Sequence, residues 1–158
     1  MNAEMTESLA RLLRARTTAA LGTLHAGAPY VSMVPYAIAA EGFLVHVSTL
    51  AAHTKDMLAD ARVSLLVASA EGGEGEAKSP LGLERVSVQA TAEQLAADAA
   101  RLPEFRTAYL ARFPDAGQMF GFADFSMFLI RPVSARFVAG FGQAHSLSAE
   151  ALLQILRR

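Results

Sequence analysis

The spacing of apolar and polar residues changes period several times along the chain, and each change predicts an element. Residues 5 to 15 carry Leu9, Leu12 and Leu13 on one helical face, with Arg11, Arg14 and Arg16 on the other. That pattern predicts an amphipathic helix with Thr6 as its N-cap. TTAALGTL (17–24), YVSMVPYAIA (30–39) and FLVHVST (43–49) are short runs of β-formers separated by HAGAP and AAEG. They predict three hairpin-connected strands, the second an edge or bulged strand because Pro35 lies inside it. AAHTKDMLADA (51–61) reads as a helix capped by Ser48 or Thr49, and RVSLLVAS (62–69) as another strand. EGGEGEAKSPLG (71–82) reads as a surface loop.

RVSVQATAE (85–93) alternates cleanly, with Val86, Val88, Ala90 and Ala92 on one face. Residues 94 to 119 are helical in pattern, interrupted by Pro103 and Pro114. FADFSMFLIRPVSARFVAGF (122–141) predicts two strands broken at Pro132, and SAEALLQILRR (148–158) a closing helix capped by Ser148. Antiparallel meanders with helices at the corners favour a small barrel over a parallel, doubly wound sheet. With 158 residues, we expect residues 1–158 to form one domain.

Composition narrows the chemistry. There is no cysteine, which removes disulfides, thiolate catalysis and cysteine-bound metal centres. A net charge of −1 gives no electrostatic footprint for nucleic acid, and 53% hydrophobic residues on a short chain lean towards an oligomer. No run approaches the roughly 18 apolar residues of a membrane span. MNAEMTESLARLLRAR has no apolar signal core, so we expect no membrane partner and a cytoplasmic location. No His, Asp and Glu cluster has the spacing of a metal site, and no G-x-S-x-G elbow is present.

The strand-to-helix junction VHVSTLAAHTKDML (45–58) holds the most chemistry. A helix start presents free N–H groups and the positive dipole end, and His53, Thr54 and Lys55 add three polar groups there. This suits a phosphate; the plainer alternative is a helix capped by Thr49 with a solvated Lys55. In GFGQAHSL (140–147), Phe141 between two glycines is either a ring-stacking residue or a core plug. His145 is either a surface or capping residue or an axial heme ligand. His25 is expected in an exposed turn, and His46 as a satisfied core or interface residue.

The run from Pro29 to Ala68, followed by LERVSVQATAE (83–93) and the GFG-x-A segment, resembles the pyridoxamine 5′-phosphate oxidase-like split-barrel proteins, and within them the heme-utilisation branch. The resemblance implies a mainly β fold with short α-helices, an antiparallel six-stranded, Greek-key-like split barrel that binds FMN in the groove of a homodimer. It implies backbone contacts to the flavin ring from Ser32, Met33 and Val34. Ser48 and Thr49 would end the next strand beside the cofactor. His53, Thr54 and Lys55 would hold the phosphate, with Arg62 or Arg85 assisting, and Arg85 would approach the ring from the side. The expected activity is an FMN-dependent oxidoreduction of a small molecule, with heme binding or heme degradation in the same groove, or a non-enzymatic ligand-binding module, as the alternatives. Two departures stand out. The strand 31–36 lacks the basic residues of the true oxidases, and their Arg- and His-containing tail signature is missing, so pyridoxamine phosphate is not the expected substrate. In heme-degrading members the axial ligand lies in a C-terminal extension, whereas this chain ends at Arg158, which ranks flavin above heme. Asp124 falls where those members carry a functional carboxylate; a turn or cap acid is the alternative.

Overall fold

The alternating runs become strands with one face turned inward. In the computed structural model, which describes residues 1–70 and 79–158, β1 (Thr18–His25) buries Ala19, Leu21 and Thr23. β5 (Arg62–Ala68) buries Val63, Leu65 and Val67, and β6 (Arg85–Gln94) buries Val86, Val88, Ala90 and Ala92. Their inward residues meet in one core. β4 (Gly42–Ser48) shows why FLVHVS has no period: it is covered on both faces. Phe43, Val45 and Val47 point into that core, while Leu44 joins a second cluster.

Neighbouring strands run antiparallel in the order β2-β1-β5-β6-β7-β4-β3, with β8 added beside β7. Here β2 is Ala28–Pro35, β3 is Ala37–Ala39, β7 is Phe125–Gly140 and β8 is Gln143–Ser148. The barrel was expected to have six strands; among the described residues the sheet has eight, β3 and β8 being the shortest. The two end strands, β2 and β3, are consecutive in the chain and meet at Tyr36, so an open seam runs between them. This is a split barrel. Tyr36 is fully buried; its hydroxyl donates to the Leu13 carbonyl (2.7 Å) and burial pushes it up to about 12.

Among the described residues four α-helices flank the sheet: α1 (Ala3–Ala15), α2 (Ala52–Ala59), α3 (Leu102–Arg112) and α4 (Ala149–Leu156). α3 lays Phe105 and Tyr109 over Ala37, Leu44, Met127 and Leu129, which hides the outer face of β3, β4 and β7. Ser148 caps α4 as expected, its Oγ accepting from the Ala151 N–H. α1 is capped instead by Asn2, whose side chain accepts from the Met5 N–H. The expected strand 30–39 is two strands divided at Tyr36, and Pro35 ends β2 exposed on the sheet edge. The helical reading of 94–119 holds only for α3 and a 3₁₀ segment at Pro114–Gly121, each begun by one of the two prolines. The loop at 71–82 lies outside the described residues as far as 78; Pro80–Gly82 form a 3₁₀ turn.

Pro132 does not break β7. The strand runs 16 residues, and the register jump between Gln89 and Ala90 leaves Val133 as a bulge beside the proline. A bulge absorbs the missing N–H at small cost. At Gly42, with φ +151°, any side chain would strike the Ile130 carbonyl oxygen, so close pairing of β4 and β7 requires glycine there.

Candidate functional site

β2 pairs with β1 alone, which leaves the backbone of Ser32, Met33 and Val34 open along the seam. Val34 is buried and Met33 is exposed, so these residues offer a ligand main-chain groups and the outer Met33 side chain. α2 packs against β1 and β2 at this edge. Its first turn places His53 beside Ser32, with the Ser32 Oγ and His53 Nδ1 3.2 Å apart. Burial pushes the His53 imidazole down; the nearby Asp56 charge pulls it partly back, and the net shift is downward. The ring is therefore held neutral near pH 7 with one nitrogen engaged by Ser32.

Behind His53 stands a network that sequence reasoning missed. Asp56 is buried, accepting from the Thr23 hydroxyl (2.8 Å) and lying 2.7 Å from the His25 Nδ1. Burial pushes the Asp56 carboxyl up, but hydrogen bonds from His25 and Thr23 and the pull of His25 and His53 outweigh it. The carboxyl ends below its ordinary value. His25, expected in an exposed turn, is the last residue of β1; it is largely exposed but tied to Asp56, with its ring 5.6 Å from Tyr30. The one available signal was spacing, since Asp56 lies three residues after His53 on a helix and so near its face.

The remaining members of the predicted phosphate cluster divide. Thr54 is fully buried and donates to the Ser48 carbonyl (2.6 Å), so its hydroxyl is spent on the fold. Lys55 is exposed. Neither Ser48 nor Thr49 caps α2: Ala51 is the N-cap, and no side chain bonds the first turn. Ser48 instead donates to Asp124 (2.9 Å), and the Thr49 N–H donates to the Asp124 carbonyl (2.6 Å). Asp124 thus ties the end of β4 to the entry of β7.

Four predicted residues lie elsewhere. Arg85 opens β6 and donates to the Leu83 and Leu81 carbonyls (3.0 and 3.4 Å). Following the pairing from Ser32 through Leu21 and Leu65 to Val88, it stands three strands and three residues from the seam. Arg62 is held by Asp60, so it does not reach the α2 start. Phe141 is neither a core plug nor stacked on a described ring; it is 82% exposed at the β7–β8 turn. His145, expected just before a helix, lies within β8 three residues ahead of the Ser148 cap, opposite Phe137. Its Nε2 is buried without a described partner. Among the described residues no group of three His, Asp or Glu side chains is placed to hold a metal ion, and no helix is long and apolar enough to cross a membrane.

Comparison with known proteins agrees with this architecture. The chain is 29% identical over 150 residues to the heme oxygenase HutZ of Vibrio cholerae, covering 89% of this chain and 80% of that protein. It is 37% identical over 126 residues to the non-canonical chloroplastic heme oxygenase HOZ of Arabidopsis thaliana, covering 78% of this chain but only 36% of that longer protein. A heme-binding protein from Mycobacterium smegmatis superposes with a TM-score of 0.84 at 25% identity, covering 98% of this chain and 62% of that one. The family model for pyridoxamine 5′-phosphate oxidase matches residues 5–139. Together with the split barrel, that match makes the chain a member of the pyridoxamine 5′-phosphate oxidase family.

Proposed function

We propose that the chain binds heme at the seam of the split barrel, around the start of α2, and that a second copy completes the groove. The observation that carries this reading is the state of His53. Ser32 Oγ lies 3.2 Å from Nδ1, which leaves Nε2 for a ligand, and burial lowers the pKa of the ring and so favours its neutral form. That is the form in which imidazole ligates iron, and a hydrogen bond to the other ring nitrogen is what orients such ligands. Lys55 offers a cation for a propionate, and the exposed Leu50 offers apolar surface beside it. Bound heme would supply an iron centre capable of chemistry with dioxygen. The names of the two heme oxygenase relatives support oxidative heme breakdown as the reaction class.

FMN is the second reading, favoured by one observation: no side chain among the described residues caps the first turn of α2, and the N–H groups of a helix start suit a phosphate. The side chains support it less. Thr54 is consumed by Ser48, and burial disfavours a charge on His53, which leaves Lys55 as the cation of the three.

Support for the second copy is twofold. Met33, Ala20 and Leu66 form one row across β2, β1 and β5, beside Val31 and Gly22. Met33 and Val31 are about two-thirds exposed there, an apolar face on strands that α3 does not reach. Arg85 also stands three strands and three residues from the seam, so it would meet a ligand there only from a second copy.

The test is titration of purified protein with hemin and with FMN, followed by absorbance. A saturable Soret band that weakens at least tenfold in His53→Ala, with no comparable FMN binding, supports the proposal. FMN binding with a bound-flavin spectrum and no hemin complex overturns it. Loss of the Soret band in air with an added reductant would support heme breakdown. Sedimentation showing a monomer with full hemin affinity would refute the shared groove.

A further inference from the structure

One guanidinium joins the two sides of the seam. Arg112 is the last residue of α3, and its Nη2 donates to the Leu13 carbonyl (3.4 Å) and to the Arg16 carbonyl at the end of α1. The carbonyls of a helix's last turn lack partners within the helix and carry the negative end of its dipole, so a cation is well placed there. α3 itself is seated on the β3–β4 side, through Phe105 and Tyr109 against Ala37 and Leu44. The end of α1 leads through Thr17 straight into β1, the partner of β2. Between these two sides lies Tyr36, the one residue separating β2 from β3. The Arg112 guanidinium carbon sits 5.3 Å from the centre of its ring. The Tyr36 hydroxyl donates to the same Leu13 carbonyl (2.7 Å), and its N–H to the Thr17 carbonyl (3.1 Å).

Little else fixes the angle between the two edges. Among the described residues β2 pairs with β1 alone and β3 with β4 alone, so no ladder of hydrogen bonds crosses the seam. The tie through Arg112 is also opposed from within. Its Nε is buried without a hydrogen-bond partner among the described residues, and the side chain makes no ion pair with them. A buried donor left unmet is a cost that release of the side chain to water removes. We infer that Arg112 is a releasable lock on the seam: while it holds α1, the seating of α3 limits how far β2 and β4 part. Release widens the seam and speeds the entry and departure of whatever it binds. Only that last step rests on the proposal of a heme site in the seam.

The chain has no cysteine, so Ala28→Cys and Leu50→Cys give a clean pair of positions for nitroxide labels. Both are exposed; Ala28 begins β2 at the end far from Tyr36, and Leu50 follows β4. Label distances are measured by pulsed electron spin resonance on the ligand-free full-length chain. Arg112→Met keeps an apolar stem but has no donors, and should enlarge the wide-seam population at least about threefold. Tyr36→Phe removes the hydroxyl from the same carbonyl and should act in the same direction. The two together should change the population by less than the sum of their separate effects. Arg112→Lys, which keeps a charged donor, should fall between Arg112→Met and the parent. In each variant the Tyr36 amide should exchange its hydrogen faster while the amides of β5 and β6 keep their protection. Unchanged label distances, additive effects, or exchange quickened equally in β5, β6 and Tyr36 would overturn the inference. If Arg112→Met does not fold, Arg112→Lys and Tyr36→Phe decide by the same criteria. Transfer of hemin to a globin acceptor tests the last step: release should quicken about tenfold in Arg112→Met, and equal rates would refute the gating. A parent that binds no hemin would refute the heme site, and the label distances would still decide the lock.

Discussion

Two histidines sit on opposite sides of the same barrel wall, and both are held neutral by burial, yet their surroundings differ. His53 belongs to a neighbourhood in which the polar side chains have partners: Ser32 engages its Nδ1, and Thr23 and His25 hold the adjacent Asp56. His46 is wrapped in rings, with Phe120, Phe125 and Tyr109 around it, and its Nδ1 has none among the described residues. A lowered imidazole therefore says little about function by itself. What differs is whether a ring nitrogen is already committed. A committed nitrogen fixes the ring in place; a buried uncommitted one is a cost that the surrounding packing must offset.

The sharpest way to break the contrast is to remove a partner on the satisfied side. Thr23→Val keeps the shape but strips a donor from the buried Asp56 carboxylate, and should cost about 2 kcal/mol in denaturant unfolding. Ser32→Ala should leave stability nearly unchanged while lowering hemin affinity about tenfold, since the imidazole loses its orienting contact. An affinity equal to that of the parent would show that Ser32 does not position His53.

Acid titration separates the two sides next. Both histidines have folded values below the ordinary 6.5, so the unfolded chain binds more protons as pH drops through 6.5. Stability should be full above that pH and decline below it, towards the folded values. His53→Gln and His46→Phe should each remove part of the slope in urea midpoints measured from pH 8 to 5. Asp56, depressed from 3.8, should add a further loss only as pH falls below that value. A flat profile across pH 5 to 8 would contradict neutral burial of both rings. The smallest effect is expected from His46→Phe at pH 8. Replacing an orphaned polar ring by an apolar one of similar shape should change stability by less than about 0.5 kcal/mol, or raise it slightly.

The parts of this molecule that could be read from sequence are those governed by neighbours in the chain. β1, β5 and β6 alternate because one face is buried, and the alternation is visible in their letters. β8 was missed because QAHSLS buries Leu147 fully and His145 only in part, and the Gly-Phe-Gly before it reads equally well as a ligand-approach turn. Pro132 misled for a related reason. Whether a proline ends a strand or sits at a bulge depends on the partner strand, here β6. At the α2 start the residue types could be read, but their division of labour could not. Thr54 is claimed by a carbonyl six residues back, and His53 by a serine 21 residues back on another strand. His46 needed more still, since Phe120, which stacks on it, comes from an insert 74 residues later. Contacts of that range follow from the folded topology and leave no mark in local spacing.

The seam has a mechanical consequence. Its two edge strands are joined by Tyr36 alone, which is pinned by the Leu13 carbonyl and by its own N–H to the Thr17 carbonyl. At that point the edges cannot part by more than a residue or two of chain. Any breathing of the wall must then be wedge-shaped, closed at Tyr36 and widest towards Ala28 and the β1–β2 turn. A flat ligand entering edge-on would slide in from that end, passing Tyr30 before it meets Ser32, as a card enters a clip held at its spring.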